Sequence, residues 1–144
     1  MMELCDAFLS LAPPTRLRLR DETLTGTLAA LTAGHADLAI GVPEPTNAVD
    51  VHGKLLGEVA FVYAVAPHHP LARADEPLAD AVLRQHRAIA VADSVQQGSG
   101  MTLGLLGGQD VFTLPTMRDK LDAQLRGLGG GSSNLPTRPP ARRC

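Results

Sequence analysis

The residues best suited to chemistry lie in VAPHHPLA, residues 65–72, where His68 and His69 stand between Pro67 and Pro70. Imidazoles ligate zinc and move protons, so a metal centre and a catalytic pair are the chemistries to weigh. Each proline steers the residue before it out of the helical region, so Ala66 and His69 are expected to be extended. Neighbouring side chains on an extended chain point to opposite faces, which makes it hard for one ion to take both rings. His35, His52 and His86 show no metal-ligand spacing, and Cys5 and Cys144 stand at opposite ends of the chain. The segment therefore reads as a surface crossover with solvated histidines, and no metal site is expected. There is no Gly-x-Ser-x-Gly elbow and no evident pairing of a carboxylate with a histidine. No catalytic residue and no cofactor is expected.

The elements around this segment follow from apolar spacing. Leu4, Phe8 and Leu11 predict one face of a helix over residues 3–12, stopped by Pro13 and Pro14. RLRLR, residues 16–20, alternates strictly and predicts a strand with Leu17 and Leu19 turned inward. Leu24, Leu28 and Leu31 predict a helix over residues 24–33 that Gly34 closes. DLAIGV, from Asp37, reads as a buried parallel strand. EVAFVYAVA, residues 58–66, is the strongest strand candidate. A helix is expected over residues 78–86, strands over 88–92 and 111–115, and a helix over 116–128. In that last helix Met117, Leu121, Leu125 and Leu128 form one stripe. Alternating helices and strands define an α/β fold.

Composition narrows the function classes. The chain has 144 residues, enough for one domain or two small lobes. Hydrophobic residues make up 44% and aromatics 3%, so Leu, Val, Ile and Ala must build the core. A net charge of −2 argues against a nucleic-acid-binding module. Two distant cysteines suit a reducing compartment, and Cys5 reads as a small core hydrophobe. The absence of a secretory signal or a long apolar run predicts a soluble, cytoplasmic chain with no membrane partner.

Four phrases, in order, resemble the effector-binding domain of LysR-type transcriptional regulators: LAALTAGHADLAIG (28–41), LLGEVAFVYAVAPHHPLA (55–72), RAIAVADS (87–94) and TMRDKLDAQLRGLGGG (116–131). The resemblance implies a two-lobed type II periplasmic-binding-protein-like α/β fold with lobe one incomplete. Residues 1–66 would be partial lobe one and 67–128 lobe two. Residues 129–144 would begin the return crossing by that resemblance, while their Gly, Ser, Pro and Arg content without apolar periodicity predicts a disordered tail. VAPHHPLA would then be the first crossing between lobes. The implied function is small-molecule effector sensing, with an aromatic or carboxylate effector and a homodimer in the parent regulator. DNA would be met only through a winged helix-turn-helix domain absent from this chain. A solute-binding protein of the same fold and an inactive truncated remnant stand as alternatives.

By that resemblance the turn after RLRLR lines the effector pocket, and the Thr23 and Thr25 hydroxyls face a carboxylate or phenolate. The plain alternative is that Thr23 caps the following helix. Gly41 either lets a ligand approach closely or is an ordinary turn. Met101 and Thr102, with Ser99, either supply the opposite wall or belong to a flexible loop. His68 either reaches the cleft or is solvated. Arg16, Arg18 and Arg20 read as a dimer edge or a solvated face rather than a DNA contact.

Overall fold

Strand β2, Ala88–Val91, is the centre of the molecule, and all four of its residues are buried. A computed structural model describes residues 2–11, 14–42, 50–95 and 104–134. Along these the order is α1 (Met2–Leu11), α2 (Gly26–Thr32), β1 (Phe61–Ala64), a 3-10 turn (Pro70–Arg73) and α3 (Asp80–Leu83). Then come β2, β3 (Val111–Leu114), α4 (Met117–Leu125) and β4 (Gly131–Asn134). The chain is mixed α/β.

β2 and β3 pair in parallel, Ala88 opposite Val111 through Val91 opposite Leu114. β1 and β4 pair antiparallel, Phe61 opposite Asn134 through Ala64 opposite Gly131. A single parallel bridge between Ala88 and Gly130 joins the two pairs. The run AIAV carries no polar side chain, as a strand covered on both faces requires. Ile89 is only 1% exposed. α4 packs against β2 and β3 and begins with a side-chain cap, since the Thr116 hydroxyl accepts the Asp119 amide at 3.1 Å.

Several expectations are corrected here. RLRLR is not a strand, and Leu17 and Leu19 are exposed. DLAIGV is not one either, with Leu38 75% exposed. Alternation makes a strand only where a partner supplies hydrogen bonds, and neither segment has one among the described residues. The strand in EVAFVYAVA is confined to Phe61–Ala64 for the same reason, because β4 is four residues long. The expected helix over residues 78–86 shrinks to Asp80–Leu83.

The apolar stripe of α4 faces outward, with Leu125 63% exposed, while Lys120, Ala123 and Gln124 are buried. Ala123 lets the helix approach closely, and Gln124 is fully engaged. Its amide donates to the carbonyls of Gly131 at 2.7 Å and Ala64 at 3.2 Å, and its carbonyl accepts the Ser133 hydroxyl at 2.6 Å. Gln124 thus ties α4 to both strands of the ribbon. Burial pushes the Lys120 ammonium below the usual lysine range.

The expected disordered tail is also corrected at its start. Gly131–Asn134 is a strand, and Gly129, Gly130, Gly131 and Ser133 are buried. A Cβ at Gly129 would overlap the Arg87 carbonyl, and one at Gly130 would overlap the Tyr63 ring. The glycines are there for close approach, not for freedom. Residues 135–144, including Cys144, lie outside the described residues. Cys5 is free and buried, as read from its helix position.

Candidate functional site

The turn at residues 22–26 is pressed against the end of β2. The DET segment follows RLRLR, and Gly26 begins α2. Between the two threonines, Leu24 stands at φ 50°, in the left-handed region. A bulky side chain there costs on the order of 1–3 kcal/mol, so surrounding contacts must hold it.

Those contacts come from Ala92, Asp93 and Ser94. The Thr23 hydroxyl donates to the Ala92 carbonyl at 2.5 Å. The Thr23 amide donates to the Ser94 hydroxyl at 3.0 Å, and that hydroxyl lies 3.2 Å from the Thr23 carbonyl. The Thr25 hydroxyl donates to the Asp93 carboxylate at 2.6 Å, which also accepts the Val95 amide at 3.1 Å. Gly26 makes this approach possible, because a Cβ there would overlap the Ser94 Oγ. Glu22 joins the group through a 2.8 Å ion pair with Arg20. Its hydrogen bond with Ser94 comes first, ahead of the Arg20 charge, in holding its carboxyl below the usual range despite some desolvation.

The reading of Thr23 as a helix cap does not hold. The capping position of α2 is Thr25, whose side chain makes no capping bond, and the Thr23 hydroxyl is spent on Ala92, the residue after β2. Gly41 is an exposed turn glycine at φ 82°, with open space where a Cβ would stand. Met101 and Thr102, with Ser99, lie outside the described residues. Two hollows, of about 300 and 150 Å³, flank α4, and neither is lined by Thr23 or Thr25.

The two histidines of the opening segment part company. His68 is exposed and packs on the turn after α4, its Nε2 lying 3.4 Å from the Arg126 carbonyl. A Cβ at Gly127 would overlap that ring. His69 is buried, which corrects the expectation that both are solvated. It is extended, at φ −72° and ψ 142°, as Pro70 requires, and its Nδ1 accepts the Leu71 amide at 3.2 Å. Its ring meets His86 edge-on, centroids 5.2 Å apart.

Burial, then His86, then His68 push the His69 pKa below its ordinary 6.5. The unfolded chain therefore binds a proton that the folded chain resists. Stability is expected to be level above pH 6.5 and to fall as the pH drops below that value. Urea midpoints at pH 7.5 and 5.5 check this. His69→Gln, neutral throughout, is expected to flatten the difference between the two. An equal loss in the variant would place the proton uptake elsewhere.

Sequence reasoning missed Ala92, Asp93 and Ser94 as partners of the threonines. A signal was present, since they directly follow a wholly apolar run. In parallel α/β sheets such strand ends are where ligands and polar contacts gather.

A parallel β-pair, a covering helix and a polar turn locked to the strand end define a small α/β domain with its polar groups at one strand terminus. The LysR substrate binding domain family matches residues 1–129, and the chain belongs to that family. It is 39% identical over 129 residues to an uncharacterized HTH-type transcriptional regulator, YeeY, of Escherichia coli K12, covering 89% of this chain and 42% of that protein. It is 33% identical over 124 residues to the probable HTH-type transcriptional regulator YhaJ of the same strain, covering 85% of this chain and 41% of that one. It is 32% identical over 121 residues to the HTH-type transcriptional activator AllS of Klebsiella pneumoniae, covering 83% and 44%. The chain thus spans less than half the length of these relatives. Among the described residues, no helix is long and apolar enough to cross a membrane.

Proposed function

We propose that this chain is the effector-sensing part of a LysR-type transcriptional regulator and performs no chemistry itself. The family match over residues 1–129 carries the reading. The grouping of Thr23 and Thr25 with Ala92–Ser94 supports it, because hydroxyls and main-chain amides then converge between two segments far apart in sequence. In this reading residues 1–66 and 67–128 are the two lobes of a periplasmic-binding-protein-like fold. β1 and β4 are the outward and return crossings. Thr23, Thr25 and Gly41 meet the effector from one lobe, and Met101 and Thr102 from the other. His68 braces the first crossing.

The effector is a small organic molecule, aromatic or carboxylate. Its binding changes the geometry of a cytoplasmic homodimer, and DNA is met by a helix-turn-helix outside the described residues. Such coupling requires different affinities for two states of the domain.

Thermal unfolding of the chain against benzoate, salicylate, succinate and related acids and aromatics tests the reading. A ligand at a hundred times its Kd adds about 2.7 kcal/mol, a dose-dependent rise in Tm of several degrees. Thr23→Val is expected to abolish the rise. A cooperative transition that no compound moves would count against a working sensor cleft.

A further inference from the structure

We propose that Thr23, Thr25, Ala92, Asp93 and Ser94 form a clasp that opens and closes independently of the β2–β3 core, and that its closed state, seen here, shuts the effector site against itself. The ligand half of this inference rests on the sensor reading; the clasp itself does not.

Three observations carry it. First, the donors that a ligand would use are already committed. The Thr23 hydroxyl and amide and the Thr25 hydroxyl all donate to residues 92–94. An incoming molecule must displace those bonds before it can accept from the same groups. Second, the turn is strained where the clasp grips it. Leu24, at φ 50°, sits between the two threonines, and Gly26 accepts the closest approach of Ser94. Once the bonds to Ala92–Ser94 are released, the strained Leu24 is left to the turn's own bond from the Gly26 amide to the Thr23 carbonyl, 3.0 Å. A strained segment held only by a few polar bonds is a two-state element. Third, two of the three bonds, from the Thr23 amide and the Thr25 hydroxyl, are exposed. Thr25 and Ser94 are exposed, whereas β2 is buried along its length. Exposed polar bonds break more often than a packed strand does. The α2 segment behind the turn buries only Gly26 and Ala30, so little apolar packing holds it in place when the clasp is open.

Opening therefore supplies, in one movement, a relaxed turn, three free donors and a path between the two segments. Ligand affinity is diminished by the fraction of molecules that remain closed.

Amide hydrogen exchange on the full chain tests this with Ser94→Ala, which removes both the acceptor of the Thr23 amide and the hydroxyl beside Glu22. Ser94 is exposed, so the variant is expected to fold. Exchange over residues 23–35 is expected to quicken about tenfold, with β2, β3 and α4 unchanged. Gly26→Ala, which pushes the Ser94 side chain away, is expected to act in the same direction. Unchanged exchange over residues 23–35 in both variants overturns the clasp. So does an equal acceleration through β2 and β3, because the turn would then open only with the whole domain. Any acid or aromatic that raises the Tm of the wild type is expected to do so at about a tenfold lower concentration with Ser94→Ala. Equal or weaker binding would overturn the gating. A panel in which nothing binds overturns the sensor reading and leaves the exchange result to decide the clasp.

Discussion

Gly131→Ala is expected to lower stability by about 3 kcal/mol, read as a fall in the urea midpoint with an unchanged slope. The reason is local. Gly131 opens β4, and a Cβ there would overlap the Ile89 carbonyl of β2. That obstacle is backbone in the most buried strand of the molecule, so it cannot swing aside as a side chain would. The new methyl would also meet Lys120 Cε at 3.4 Å and Gln124 Nε2 at 3.5 Å. Relief requires β4 to withdraw, which strains the Ala88–Gly130 bridge and the Gln124 bonds together. Gly107→Ala is the control, because a Cβ there meets nothing within 4 Å. It is expected to be neutral or to stabilise by a few tenths of a kcal/mol by restricting the unfolded chain. Equal losses in the two variants would show that glycine content, not close approach, matters.

Gln124 gives the second large effect. Gln124→Leu leaves the Ala64 and Gly131 carbonyls and the Ser133 hydroxyl without this partner. Each buried group so orphaned costs about 1–3 kcal/mol, and a total loss on the order of 3 kcal/mol is expected after some rescue by water. Gln124→Glu is the sharper experiment because the shape is nearly kept. A carboxylate would face two carbonyl oxygens and retain only Ser133 as a donor. At neutral pH it is expected to destabilise at least as much as leucine. The loss is expected to shrink as the pH falls and the acid regains a proton to donate. A glutamate tolerated at pH 7 would mean that the amide's two donated bonds contribute little.

These positions show where the sequence was informative. AIAV is buried on both faces because it contains only side chains that gain from burial, and it was readable as such. The prolines around His68 and His69 dictated an extended His69, and it is extended. The threonines were legible as a polar turn, though their partners were not, because contact across some seventy residues leaves no local trace. RLRLR and DLAIGV misled because periodicity records which face is apolar and not whether a partner strand is present. The α4 stripe misled for a related reason: Leu121 and Leu125 are more apolar than Lys120 and Gln124, yet the small Ala123 and the three bonds of Gln124 decided the face. GGGSSN was misread by composition. A run of glycines suits both a loose linker and a strand with no room for side chains, and only the neighbouring Arg87, Ile89 and Tyr63 distinguish the two.

The pairing of β1 with β4 has a consequence for how the chain is made. Phe61 finds its partner at Asn134, so β1 leaves the ribosome long before the strand that completes it. At about 5–20 residues per second, roughly 4–15 s of translation separate the two. Throughout that interval Phe61 and Val62, half-exposed even in the finished fold, lie open beside an unpaired backbone edge. Nascent chains crowded on one messenger would meet one another through this edge. The vulnerable moment for this domain therefore comes during synthesis, when a holding chaperone would serve it best.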